Sequence, residues 1–565
     1  MKISWIYSLR FKSFIMKVLI GVLCCFALQT HNAQAAGTKD TLNIGMMSEF
    51  ENLNPMIYSQ AATGYMLRLA YRPLVALSLE NKWVPVLIKK MPTLENKLVK
   101  KKGEGIEIQI EFIDNLKWGD GVAVTCKDIE FAWQVGMHPN VSTSSKEEFE
   151  NIKSIKWANE TPTKCVIEMA KAKYNYFNSM PDPMPEHLEA AVFNKFKDKP
   201  EGYDHNSLYT KDPSNPGLYN GPFMVSEVKL GSHVMFVNNP NFYGKKPAIK
   251  KMVFKLIPNA ATLTAHLQAG DIDMVSPAGG LGLDQAIAFE KKISVDKSPF
   301  RVAYADGFVY AHIDLNLENP ALADLRVRKA ISMAFNKKDI LSMLDGKAKE
   351  AKFFVANNDM WASDKAPVYS FNKREANKLL DEAGWKLNAK GIREKNGKTL
   401  SLTLMAVAGI KLTDMIEVYV QSQLKSVGIE ISIKNEPARV FFGETTKHRK
   451  FDMAFYSWVS IPESSPRSML HSTMIPSEKN SWSGQNQPGW KNAKVDKLVD
   501  ALEVELNQSK RALIGKQITE IYAQEIPVIP IYFRPNNSVV PAGMKNYKLS
   551  GHLYYETLYA ESWEL

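Results

Sequence analysis

Covalent chemistry leaves no pattern in this sequence. The chain has no G-x-S-x-G elbow, no H-E-x-x-H helix, no C-x-x-C pair and no glycine loop shaped to cradle phosphate. Its ten histidines include no pair at metal-ligand spacing, and Asp271 with Asp273 lacks the remaining positions of a calcium loop. What the residues offer is non-covalent recognition. The loop 459–467 holds one acid, Glu463, and ends on a base, Arg467. A guanidinium takes a carboxylate through two parallel hydrogen bonds, and an ammonium enclosed away from water needs a carboxylate beside it. A surface salt bridge is the other reading for Arg467. Residues 481–490 are rich in glycine, amide and indole groups, as adaptable binding loops are, so Trp482 is either a stacking surface or a packing residue.

Such residues need a frame, and the pattern is clearest over residues 106–135. Ile106, Ile108, Ile110 and Phe112 alternate with Glu107, Gln109 and Glu111, the period of a strand with one buried face. Trp118-Gly-Asp-Gly121 supplies a turn. Thr125, with Asp128 three residues later, then reads as a capping box opening a helix whose apolar side is Ile129, Phe131 and Trp133. Further on, Asp324 caps a helix with Val327, Ala330, Ile331, Ala334 and Phe335 on one face. Residues 400–407 alternate as a strand, Ile416, Tyr419, Val420, Leu424 and Val427 form a helix face closed by Gly428, and Ile429, Ile431 and Ile433 form the next strand. Strand, helix and strand in close succession predict a crossover with parallel strands. Residues 451–458 and 527–533 read as two more strands.

The same segments carry a resemblance. Trp118-Gly-Asp-Gly followed by Thr125-Cys-Lys-Asp-Ile-Glu-Phe-Ala-Trp133 resembles the signature of the family 5 extracellular solute-binding proteins, the peptide, oligopeptide and nickel receptors of ABC importers. Asn52-Leu-Asn-Pro55, Tyr71-Arg-Pro-Leu-Val75, Asn215-Pro-Gly-Leu-Tyr-Asn-Gly-Pro-Phe223, Asn238-Asn-Pro-Asn-Phe-Tyr-Gly244, Gly270-Asp-Ile-Asp-Met274 and Asp324-Leu-Arg-Val-Arg-Lys-Ala330 resemble further family segments in the family's order. The resemblance implies an α/β protein of the two-lobed periplasmic-binding type II fold, large peptide-binding variety, with an extra subdomain in the first lobe. It divides the chain into a signal peptide (1–35), lobe I (36–75), the extra subdomain (76–190), lobe I continued (191–300), lobe II (301–520) and a return to lobe I (521–565).

Site residues follow from the same likeness. In peptide-binding members the residues just past Pro55 line the cleft, which points at Tyr58, Ser59 and Ala61, with a plain surface loop as the alternative. A Trp ends the strand corresponding to 451–458, matched by Trp458, and the loop behind it begins at Val459. An Asp three residues later pairs with the peptide's ammonium, but here that position is Ile461. Glu463 takes the role after a shift of two residues, or else the ligand lacks a free amino terminus. The implied function is capture of an oligopeptide-like solute and its delivery to permease subunits in the inner membrane, by a monomer without cofactor, bound metal or nucleic acid. The alternatives are a modified peptide, nickel chelate, haem or sugar as cargo, and more remotely a hydrolase.

Bulk properties agree with export. A length of 565 residues predicts two or three lobes. Lys2, Arg10, Lys12 and Lys17 precede the apolar run 18–28, and Ala33-Gln-Ala35 offers a cleavage site, so a removed signal peptide and a periplasmic location are expected. A lipid anchor at Cys24 or Cys25 is the weaker reading, since Leu23 and Cys24 are not small. Removing those four basic residues lowers the net charge from +11 to +7. The charge is scattered, which speaks against a nucleic-acid surface. Cys126 and Cys165 remain, and sequence leaves open whether they pair.

Overall fold

The structure is a computed structural model that describes residues 40–565, apart from positions 51, 59, 144–145, 296–297, 357–358, 460–461 and 481. Its backbone is one sheet shared by two bodies. In the first, Thr41–Met46 lies parallel to both Lys251–Leu256 and Met274–Val275, and His233–Asn238 and Phe223–Lys229 extend the edge antiparallel. In the second, Glu430–Ile433, Ser401–Met405 and Met453–Val459 run parallel, as the crossover pattern requires. Two long antiparallel strands, Phe300–Leu315 and Val528–Pro541, join the halves. Residues 300–305 pair with 536–541 beside the first core, and 309–314 with 528–534 beside the second. The register breaks between them, at Asp306-Gly-Phe308. Gly307 is required there, because a Cβ would lie 2.2 Å from the carbonyl oxygen of Arg534.

Predicted elements appear with small boundary shifts. A helix spans Ala61–Ala70, and Asp324 accepts the N–H of Arg326 to cap Leu325–Ala334. The strand predicted over 527–533 is twice as long. Its second half, Arg534 to Pro541, carries two prolines and two asparagines, which hide a strand from any hydrophobic alternation. Around the second half-sheet, Leu325–Ala334, Lys373–Glu382 and Lys411–Lys425 bury one face. Ala493–Val504 and Gln508–Glu525 cover the other, giving three layers.

The extra subdomain is a four-stranded antiparallel sheet, Val99–Lys102, Gly105–Glu111, Lys164–Met169 and Ile152–Lys156, covered by the helix Cys126–Met137. The capping box forms: Thr125 N–H donates to Asp128 Oδ2 at 2.7 Å. Cys126 and Cys165 are disulfide-bonded, tying the helix to the sheet. This sheet shares its core with the first lobe, since Ile106, Ile108 and Trp118 pack in one cluster with Leu42 and Ile44. Four of the motif segments meet at that seam. Gly119 N–H donates to Tyr219 O and Asn241 Nδ2 to Gly119 O, while Arg72 N–H donates to Asn220 Oδ1. A Cβ on Gly119 would sit 2.4 Å from Pro216 O. The motifs are thus the mortar between subdomain and lobe.

Candidate functional site

Between the two bodies lies a cavity of about 580 Å³ walled from both sides. From the first lobe, the hairpin Val75–Leu77 and Trp83–Pro85 presents Glu80 to Trp83, and the 3₁₀ turn Tyr176–Ser179 presents Phe177. The rings of Trp83 and Phe177 stand 4.8 Å apart. Phe308 enters from the register break in the long strand. The second lobe supplies Asp359 and Met360, Pro462 and Glu463, and the first turn of Gln508–Glu525 with Gln508 and Arg511. Its size is that of small-molecule sites generally, a few hundred cubic ångströms with an apolar lining and a few polar groups. A second, more polar cavity of about 440 Å³ lies alongside, lined by Asn151, Lys173, Asn175, Ser465, Arg467 and Glu503 among others.

One side chain among the described residues reaches from the first-lobe side into the second lobe's core. Tyr174, from the first-lobe side, is buried in the second lobe's core beside Trp361 and Trp490. Its hydroxyl donates to Glu463 O, its N–H donates to Glu503 O at 2.9 Å, and the Arg511 guanidinium lies 4.6 Å from its ring centre. Arg511 in turn pairs with Glu463 at 2.7 Å and donates to Glu505 O. Glu463 holds a positive φ of 58°, unusual for a residue with a side chain. The Arg511 pair, the Gln508 amide at 3.2 Å and the Tyr174 hydroxyl together fix it there.

Over residues 92–480 the sequence matches the family described as bacterial extracellular solute-binding proteins, family 5 Middle. The chain belongs to this family. It is 26% identical over 466 residues to the oligopeptide-binding protein AppA of Bacillus subtilis, covering 80% of this chain and 79% of that one. It is 24% identical over 526 residues to the nickel-binding periplasmic protein of Escherichia coli, covering 92% and 93%. The fold superposes on the oligopeptide-binding protein of Thermus thermophilus complexed with a pentapeptide, with a TM-score of 0.68 at 24% identity, covering 93% of this chain and 96% of the other.

In this family 5 protein the residues singled out from sequence fall in different places. Glu463 lines the larger cavity, but its carboxylate meets Arg511 of the same chain. Arg467 lines the smaller one and is held by Glu503 at 2.7 Å and by Asp500. Trp458 packs edge-on to Tyr456 at 5.4 Å, and Val459 ends its strand 56% exposed, opposite Val309. Tyr58 is half-buried over Gly64, Ala61 is exposed at the start of its helix, and Trp482 packs on the His448 ring at 4.5 Å. Ser59 and Ile461 lie outside the described residues. Sequence reasoning missed Trp83, Phe177, Phe308, Asp359, Gln508 and Arg511. They come from five separate segments of the chain. Among the described residues no group of three or more His, Cys, Asp or Glu side chains is placed to hold a metal ion.

Proposed function

We propose that this family 5 protein encloses a peptide-like solute between its lobes and delivers it, chemically unchanged, to the permease of an ABC importer. The observation that carries the reading is the 580 Å³ cavity with walls from both lobes, bridged by Tyr174. A hinge made of two strands suits closure around cargo. On this reading the lobes divide at the register break, and Tyr58, Ala61, Trp458, Val459 and Trp482 lie on the cleft's approaches, with Glu463 and Arg467 on its walls. The oligopeptide-binding relative supports a peptide as cargo. The nickel-binding relative favours a metal chelate as the second reading.

The export signal read from residues 1–35 and the Cys126–Cys165 disulfide support a periplasmic location, because such bonds persist in oxidising compartments. No helix among the described residues is long and apolar enough to cross a membrane. Native mass spectrometry of protein purified without denaturation tests the cargo. A ladder of peptide masses, recovered intact after long incubation, is the expected result; a single non-peptide mass overturns it.

A further inference from the structure

Among the described residues three carboxylates reach the wall of the larger cavity, and two are already neutralised. Glu80 pairs with Lys548 at 2.8 Å and Glu463 with Arg511 at 2.7 Å. Asp359 is the third. Its Oδ1 accepts the N–H of Trp361 at 2.8 Å, which fixes the side chain, and no Lys, Arg or His pairs with it among the described residues. The indole of Trp361 is seated against Gly515, where a Cβ would lie 2.3 Å from the ring, so the carboxylate is held on a rigid support.

The surroundings of Asp359 favour a cation. Trp83, Phe177, Phe308 and Met360 share the wall with it, and aromatic faces attract positive charge. Burial pushes its carboxyl up to about 6, the Trp361 N–H opposes that rise, and the nearby Glu463 adds to it. At neutral pH it is still ionised, so its desolvation is offset only when a positive group arrives. The two bases on the wall do not fill that role. Arg511 is engaged by Glu463, Glu505 O and the Tyr174 ring, and Lys82 is exposed to water at the rim.

We propose that Asp359 receives an ammonium group of the bound solute, flanked by Trp83, Phe177 and Phe308, and makes the cleft selective for solutes that carry a protonated amine. This rests on the peptide-like reading above, under which the amine is the free amino terminus. It also accounts for the sequence, where Ile461 offers no acid and Glu463 is bound within the chain.

The test compares two probes, a random pentapeptide mixture with free amino termini and the same mixture N-acetylated, titrated into cargo-free protein and followed by native mass spectrometry. The expected result is that the wild type prefers the free-amine mixture by about 10- to 100-fold. Asp359→Asn, which keeps an acceptor for the Trp361 N–H, should lose that preference while still binding at the acetylated level, and Asp359→Glu should retain part of it. An unchanged preference in a folded Asp359→Asn protein, or equal binding of both mixtures by the wild type, overturns the Asp359 assignment and leaves the peptide reading standing. Binding of neither mixture by the wild type removes the peptide reading and this assignment with it.

Discussion

His312 and Asp314 sit two residues apart on the long strand, both fully buried, with His312 Nε2 3.4 Å from Asp314 Oδ1 and the Tyr456 hydroxyl donating to Asp314 Oδ2. Burial pushes the Asp314 carboxyl up to about 7 and the His312 imidazole down from its ordinary 6.5 to about 4. Asp314 therefore stabilises the fold fully at acid pH and loses that contribution as pH rises through about 7. His312 does the reverse, losing stability as pH falls from 6.5 toward 4. Across that window the two slopes cancel, because unfolding moves one proton from carboxyl to imidazole. His312→Asn should expose the imbalance: its stability cost relative to wild type should grow by about 1.4 kcal/mol per pH unit from pH 4 to 6.5. Denaturant unfolding across that range measures it, and a pH-independent difference would mean that the native imidazole is charged. At this scale sequence was a partial guide. The strand through 309–315 was not read from the sequence, although Val309, Ala311, Ile313 and Leu315 alternate with Tyr310, His312 and Asp314, and nothing local says that both of its faces are covered, which is what buries an acid and an imidazole together.

Elements were far more legible than the site they build. Caps at Thr125 and Asp324, the glycine turns and the crossover at 400–433 are local signals, set by chemistry within a few residues, and the structure reproduces them. The cleft is assembled from a hairpin, a 3₁₀ turn, a strand bulge, a loop and a helix start, hundreds of residues apart, so no single stretch could announce it. Pairing of Cys126 with Cys165 likewise depends on the helix lying against the third strand of the subdomain, a tertiary fact. The sequence separation of 39 residues gives the bond about 4 kcal/mol of stabilisation on the chain-entropy account. Because the subdomain shares a core with the first lobe, reduction should weaken both together. A drop of about 2–4 kcal/mol in the unfolding free energy of a Cys126→Ser, Cys165→Ser double variant is expected; a change confined to local proteolysis of 99–169, with the global transition unmoved, would contradict the shared core.

For the molecule as a whole, the proposed closure rests on Tyr174, which reaches from one lobe into the hydrophobic core of the other. Tyr174→Phe keeps the ring and removes one hydrogen bond, worth about 1 kcal/mol net. It should shift the closed population about fivefold toward open, seen as a larger radius of gyration of the cargo-free protein by solution scattering and a faster loss of cargo. An unchanged radius and off-rate would reduce Tyr174 to a packing residue. The ribbon that carries the hinge bears on how such a protein can be taken apart. Neither half is a continuous piece of the gene, and a cut near residue 306 or 535 would sever a strand in mid-pairing. Each fragment would then expose bare amide and carbonyl edges that recruit other chains. Truncation should therefore yield aggregates, and the division of labour between the halves has to be dissected by point substitution in the intact polypeptide.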